Sequence, residues 1–161
     1  MKKIFAIFTV LAAFAFVGCV EQTELSSETL PVKCIVTGYV HYTSHNGSSA
    51  DATPVPVGTE VRVLYGIPSG SQVEYALTTT TTDNAGCFRV DLGCPAGQAL
   101  TVKCEVSFVA SHYISIGSSG YVPNEALFYG SSVEKTIAAG AASHFIFEAT
   151  RQLNLTYPDT K

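Results

Sequence analysis

Cys87-Phe88-Arg89-Val90-Asp91-Leu92-Gly93-Cys94-Pro95-Ala96-Gly97-Gln98-Ala99-Leu100-Thr101-Val102-Lys103-Cys104-Glu105-Val106-Ser107-Phe108 alternates twice about a turn. Phe88, Val90 and Leu92 share one parity against Arg89 and Asp91. After Pro95-Ala96-Gly97, Leu100, Val102, Cys104, Val106 and Phe108 repeat the pattern. A period of two puts successive side chains on opposite faces, so each run reads as a half-buried strand. Two such runs about a Pro/Gly turn are expected to pair as a β-hairpin.

The same period extends in both directions. Upstream, Asp83-Asn84-Ala85-Gly86 is a tight turn, with Gly86 supplying a positive φ. Residues 73–82 form a strand rich in β-branched threonine. Pro68-Ser69-Gly70 is a turn, and residues 60–65 carry Val61, Val63 and Tyr65 on one side. Residues 43–58 are dense in Ser, Asn, Gly, Asp and Pro and read as a loop. From Val32, the residues Cys34, Val36, Gly38 and Val40 alternate with Lys33, Thr37, Tyr39 and His41, with Ile35 an apolar exception. Downstream, residues 111–132 are less regular. Residues 133–137 and 144–150 read as closing strands around a small Ala/Gly turn, and 152–157 as a short edge strand. No segment has a helical period. The expected class is all-β, a seven- or eight-stranded sandwich over residues 32–157.

Three blocks carry a family likeness. They are Thr37-Gly38-Tyr39-Val40, then Thr53-Pro54-Val55-Pro56-Val57-Gly58-Thr59-Glu60-Val61-Arg62-Val63, then Thr82-Asp83-Asn84-Ala85-Gly86-Cys87-Phe88-Arg89-Val90. Together they resemble the G-x-V, P-V-x-G-x-x-V, T-D-x-x-G-x-F signature of carboxypeptidase regulatory-like, transthyretin-like domains. The likeness covers roughly residues 34–108. It implies a Greek-key β-sandwich of a kind common in surface lipoproteins of the Bacteroidetes. It also implies a domain that accompanies enzymes, transporters or adhesins and does no chemistry itself. No partner domain follows in this sequence, a departure from the multidomain pattern.

The N-terminus supplies an address. Lys2 and Lys3 form a basic region, and residues 4–17 are uncharged and apolar, short for a bilayer span. Phe16-Val17-Gly18-Cys19 resembles the lipobox of bacterial lipoproteins, with Phe16 in place of the usual leucine. The resemblance implies a signal peptide over residues 1–18 and acyl chains on Cys19. The alternative is an ordinary signal peptide with an incidental cysteine. Residues 19–31 then form a polar, acidic tether. Glu21 and Glu24 stand where acids in Bacteroidetes lipoproteins favour delivery to the cell surface. The expected location is the outer membrane, on either its surface or its periplasmic face.

Removing residues 1–18 leaves 143 of 161 residues, enough for one domain with a real core. The mature chain holds 7 basic and 13 acidic side chains, a net charge of −6 with histidines neutral. That sign opposes binding to nucleic acid and to anionic headgroups, which need clustered Lys and Arg. Membrane attachment must come from the acyl chains, and a stable anchor needs more than one.

Four cysteines remain after Cys19, and an exported chain permits two disulfides in three connectivities. Cys87 and Cys94 flank one strand about 23 Å apart, too far to bridge. Cys34 and Cys104 both sit on core-facing parities, so a Cys34–Cys104 bond is sterically reasonable. Pairing Cys94 with Cys34 or with Cys104 leaves other mates, and any of the four can be a buried small hydrophobe instead. No C-x-x-C pair or ligand-spaced histidine supports a metal site, and no cofactor is expected. His41 and His45 have H-x-x-x-H spacing but span a strand end and a loop, roughly 13 Å apart when extended. Gly117-Ser118-Ser119-Gly120 is one residue short of G-x-S-x-G and lacks the strand-turn-helix setting.

Tyrosines are the remaining candidates. Tyr39 and Tyr42 are expected to leave the first strand on its outer side, and Tyr113, Tyr121 and Tyr129 crowd the irregular segment. Exposed rings stack on sugars or anchor protein interfaces. The expected function is a non-catalytic, lipid-anchored interaction or scaffold domain of the cell envelope. The alternative is a glycan-binding accessory protein of a polysaccharide-uptake system.

Overall fold

A computed structural model describes residues 32–46, 49–117 and 120–156. The signal peptide, Cys19, the tether and Tyr157 therefore lie outside the described residues. The described chain is nearly all strand. In order the elements are β1 (Val32–Asn46), β2 (Ser49–Pro54), β3 (Glu60–Gly66), β4 (Pro68–Ser69), β5 (Gln72–Val73), β6 (Ala76–Thr81), β7 (Cys87–Cys94), β8 (Ala99–Ser115), β9 (Tyr121–Ser131), β10 (Lys135–Ala138) and β11 (Ala142–Asn154). Eleven strands replace the expected seven or eight, although β4 and β5 are only two residues each.

The seven other strands of the nine-stranded sheet owe their places to β1 and β8, directly or through a neighbour, and β1 and β8 are the longest strands, while β4 and β5 pair only with each other. One edge of β1 takes β7 antiparallel along residues 32–39 and then β2 along residues 41–46. Its other edge takes β11 in parallel, Ile35 opposite Ala142 through Tyr42 opposite Ala149. β11 passes to β9, β9 to β8, β8 to β3 and β3 to β6, while β10 pairs with the start of β8. The sheet is mixed and curls over itself. Its ends β6 and β7 meet through Thr80 Oγ1 donating to the Arg89 carbonyl at 3.0 Å, without a ladder, so the barrel stays open. The result is a β-sandwich-like body around one core.

The two alternating runs about Pro95-Ala96-Gly97 are both strands, but they do not pair with each other. β7 pairs with β1, whereas β8 pairs with β3, β9 and β10. The Pro95-Gly97 turn carries the chain across the core instead of folding it back in one layer. Two apolar faces that bury more surface against each other than side by side favour this crossing. The same holds for the closing strands: β10 goes to β8 and β11 to β1 and β9. Of the expected edge strand over 152–157, residues 152–154 are the end of β11.

Alternation decides the core. Cys34, Val36 and Val40 of β1, Val61 and Val63 of β3, Leu100, Val102 and Cys104 of β8, and Phe128 and Phe145 are all buried. Each such Val, Leu or Phe stabilises the fold by roughly 1.5–3 kcal/mol relative to exposure. The family-like blocks converge here. A Cβ at Gly38 would enter the Phe88 ring and stand 2.8 Å from the Phe145 carbonyl oxygen. A Cβ at Gly86, where φ is +73°, would stand 2.5 Å from the Val40 oxygen and 3.1 Å from Pro54 Cβ. The Asp83 carboxylate accepts from the Ala85 and Cys87 amides at 2.8 and 2.9 Å, fixing that turn.

Two segments expected to be irregular are strands. β2 is polar, and it extends the sheet by zipping along β1, so its pairing comes from backbone bonds rather than from a buried face. β9 buries Asn124, Ala126, Phe128 and Gly130 on one parity. The inward Asn and Gly hide the alternation from a reading of hydrophobicity. Pro123 lies beyond the stretch of β9 that pairs with β11, so its missing N–H leaves no ladder bond unmade on that edge.

Candidate functional site

The far ends of β1, β8, β9 and β11 run past the core and enclose a groove of about 730 Å³. Thr43 and His45 of β1, Tyr113 and Tyr121 from β8 and β9, Glu148 and Arg151 of β11, and Ile116 form its walls, with His112, Phe128 and Asn154 beneath. The volume lies within the range of small-ligand sites.

A bulge in β11 builds the floor. Arg151 is opposite Phe128 and Leu153 opposite Leu127, so Gln152 is the extra residue. Before it, Phe145, Phe147 and Ala149 point inward; after it, Leu153 is exposed and Asn154 is buried. One inserted residue reverses the parity and turns a polar side chain into the interior. Asn154 Oδ1 lies 3.0 Å from His112 Nε2 and accepts from Arg151 Nη1 at 3.1 Å. Because a guanidinium only donates, that atom is the amide oxygen, and His112 Nε2 must carry a proton to pair with it. The His112 ring meets Phe128 edge-on, with centroids 6.0 Å apart. Asn124 Oδ1 accepts from the Thr156 amide at 3.2 Å, and the Leu155 amide donates to the Glu125 carbonyl at 2.7 Å, continuing the sheet beyond β11.

On the wall, the Thr43 hydroxyl donates to Glu148 Oε1 at 2.6 Å, tying β1 to β11. Tyr113, Tyr121 and Ile116 are 39%, 47% and 43% exposed, so the groove offers apolar surface beside a carboxylate, a guanidinium and an imidazole. This combination suits a ligand with both apolar faces and hydrogen-bonding edges.

The five candidate tyrosines separate. Tyr113 and Tyr121 come together at the groove. Tyr129 shares their outward parity but lies farther along β9, outside the groove. Tyr39 is half-buried and stacks on His41 at 5.6 Å. Tyr42 is not on the outer side. It has the even parity of Val36 and Val40 and is buried against Phe108 and Phe128, with centroids at 5.4 and 4.9 Å. His45 reaches the groove while His41 does not, so the H-x-x-x-H pair is split. His112 is central to the floor. Its inward parity with Ala110 was the available signal. Asn154 had none, because the bulge that turns it inward leaves no mark in the composition.

Cys34, Cys87, Cys94 and Cys104 are all free thiols. Cys34 and Cys104 do not meet. Cys34 Sγ lies 3.4 Å from the Ala138 carbonyl oxygen, whereas Cys104 keeps company with Ser132 and Lys135, near the other end of β10. Burial pushes the Cys104 thiol up to about 12 against the opposing pull of Ser132 and Lys135. Cys94 is pushed up to about 11 by burial first and then by the neighbouring Cys34. Among the described residues, no three of His, Cys, Asp and Glu gather closely enough to hold a metal ion. No helix among them is long and apolar enough to cross a membrane.

Compared with protein families and with curated proteins, the sequence matches none.

Proposed function

We propose that this chain is an exported lipoprotein, acylated at Cys19 on the outer membrane, whose β-domain binds a partner without catalysis. The observation that carries this reading is the polarity of β1. The chain from Cys19 enters the domain at Val32, and the groove is lined by Thr43 and His45 of the same strand, about 36 Å farther on. An anchor before the start of a long strand leaves the strand's other end free to face away from the lipid. Binding chemistry at that end is where a tethered domain can use it.

The finer fold assignment, a transthyretin-like, carboxypeptidase regulatory-like Greek-key sandwich, is part of the same proposal. Its support is that residues from the three signature blocks pack on one another: Gly38 on Phe88, and Gly86 on Val40 and Pro54.

A second reading names the ligand. Tyr113 and Tyr121 at the groove, beside Glu148 and Arg151, favour a glycan over a flat protein surface, since sugars pair ring stacking with polar edge contacts. A glycan array probed with the mature protein and with a Tyr113→Ala/Tyr121→Ala variant tests this. Binding to a defined glycan set that the variant loses by tenfold or more supports it. Binding that the variant retains, or none to any glycan, removes the glycan reading and leaves the protein-partner reading. Protease shaving of intact cells then reports whether the domain faces outward.

A further inference from the structure

We infer that Cys34 and Cys94, free thiols in this structure, become joined by a disulfide in the exported protein. The structure brings them together although five strands, β2 to β6, lie between β1 and β7 in the sequence. β1 and β7 pair antiparallel with Val32 opposite Cys94 and Cys34 opposite Leu92, which makes Cys34 and Cys94 diagonal neighbours on one face. Both side chains are wholly buried on that face. A diagonal pair in a flat sheet has its Cα atoms about 7–8 Å apart, just beyond the ~7 Å that a disulfide spans, so the bond needs a small backbone shift. Cys94 is the last residue of β7, with Pro95 next, so it can close the remaining gap without breaking a ladder bond beyond it.

Other mates fail on position. Cys104 sits at the Ser132 end of β10 and Cys34 at its Ala138 end. Cys87 is opposite Tyr39, at the far end of the β1–β7 ladder from Cys94. The juxtaposition is thus specific to one of the possible pairs.

The chemistry is a two-electron oxidation. Two S–H bonds break and one Sγ–Sγ bond forms. The two electrons and two protons pass to a disulfide-bearing oxidant of the envelope, which is reduced to two thiols. Attack needs a thiolate, and the folded protein offers neither sulfur to solvent. The bond therefore forms while β1 and β7 are still being assembled, and once buried it meets a reductant only as the chain unfolds, as in a thermal melt. It would staple β7 to β1 two residues inside Val32, where β1 begins.

The test is peptide mapping of the full chain exported by a bacterial host, alkylated in denaturant without reductant. Trypsin places the four cysteines in four separate peptides, spanning residues 34–62, 63–89, 90–103 and 104–135. The expected result is a linked 34–62/90–103 species, with Cys87 and Cys104 alkylated. Reductant should lower the Tm of the wild type by roughly 10 °C and leave that of a Cys34→Ser/Cys94→Ser variant unchanged. Four alkylated thiols, or a linkage between any other pair, would overturn the inference. So would an equal response of both proteins to reductant.

Discussion

The Phe88 ring occupies the space that a side chain at Gly38 would need. The two residues are opposite one another on β1 and β7, and the Phe145 carbonyl closes the gap from the β11 side. Gly38 is there because three strands approach the same point. Replacing it with alanine forces Phe88 to move within a close-packed interior. We expect Gly38→Ala to cost about 1–3 kcal/mol in urea unfolding, and to cost less in a Phe88→Leu background. Additive costs would show that the contact is not what excludes the methyl group.

Tyr42 and Tyr113 differ by role although both are tyrosines on long strands. Tyr42→Ala removes a ring packed between Phe108 and Phe128 and should destabilise the fold by about 3–5 kcal/mol. Tyr113→Ala should leave stability within about 0.5 kcal/mol, because the ring stands at the groove mouth. Thermal melts of the two variants check this directly, and equal losses would contradict the placement of Tyr42 in the core.

His112 and Asn154 form a buried pair across β9. Asn154→Leu keeps the volume and removes the acceptor, leaving a buried imidazole N–H without its amide oxygen. The expected loss is about 1–3 kcal/mol. Adding His112→Leu should recover part of it, since replacing both partners by apolar groups is less costly than orphaning one. A double-mutant cycle with no coupling would contradict the pairing.

Cys104 makes stability depend on alkaline pH. Its folded-state value of about 12 lies above the ordinary thiol range, so the folded chain holds a proton there that the unfolded chain releases from about pH 9 upward. The contribution is complete below about pH 9 and is lost as pH rises toward 12. Tm should fall across that window, and Cys104→Ala should flatten the fall while lowering stability at neutral pH. A steeper or unchanged slope in the variant would assign the alkaline loss to other groups.

How much of this was written in the sequence depends on which face a residue joins. The alternation of Val36, Val40, Phe88 and Leu92 gave their burial at once, because period two maps directly onto the pleat. It also contained the place of Tyr42, whose even number puts it with Val40 on the inward face. Pairing was less legible. Nothing in Pro95-Ala96-Gly97 distinguishes a turn within one layer from a turn across the core, since that choice rests on β1, some fifty residues upstream in sequence. The groove was half visible through Tyr113 and Tyr121. Its floor was not, because a single bulge at Gln152 decides that Asn154 faces in and Leu153 out, and a bulge has no signature in hydrophobicity.

In the proposed function, an anchor at Cys19 orients the groove. Its most direct test is membrane fractionation of cells producing the full chain and, alongside, a Cys19→Ala variant. The wild type should sediment with the outer membrane and the variant should be recovered in the soluble fraction, folded and with the same Tm. Identical partitioning of the two chains would show that Cys19 is not the attachment point and would contradict the central claim.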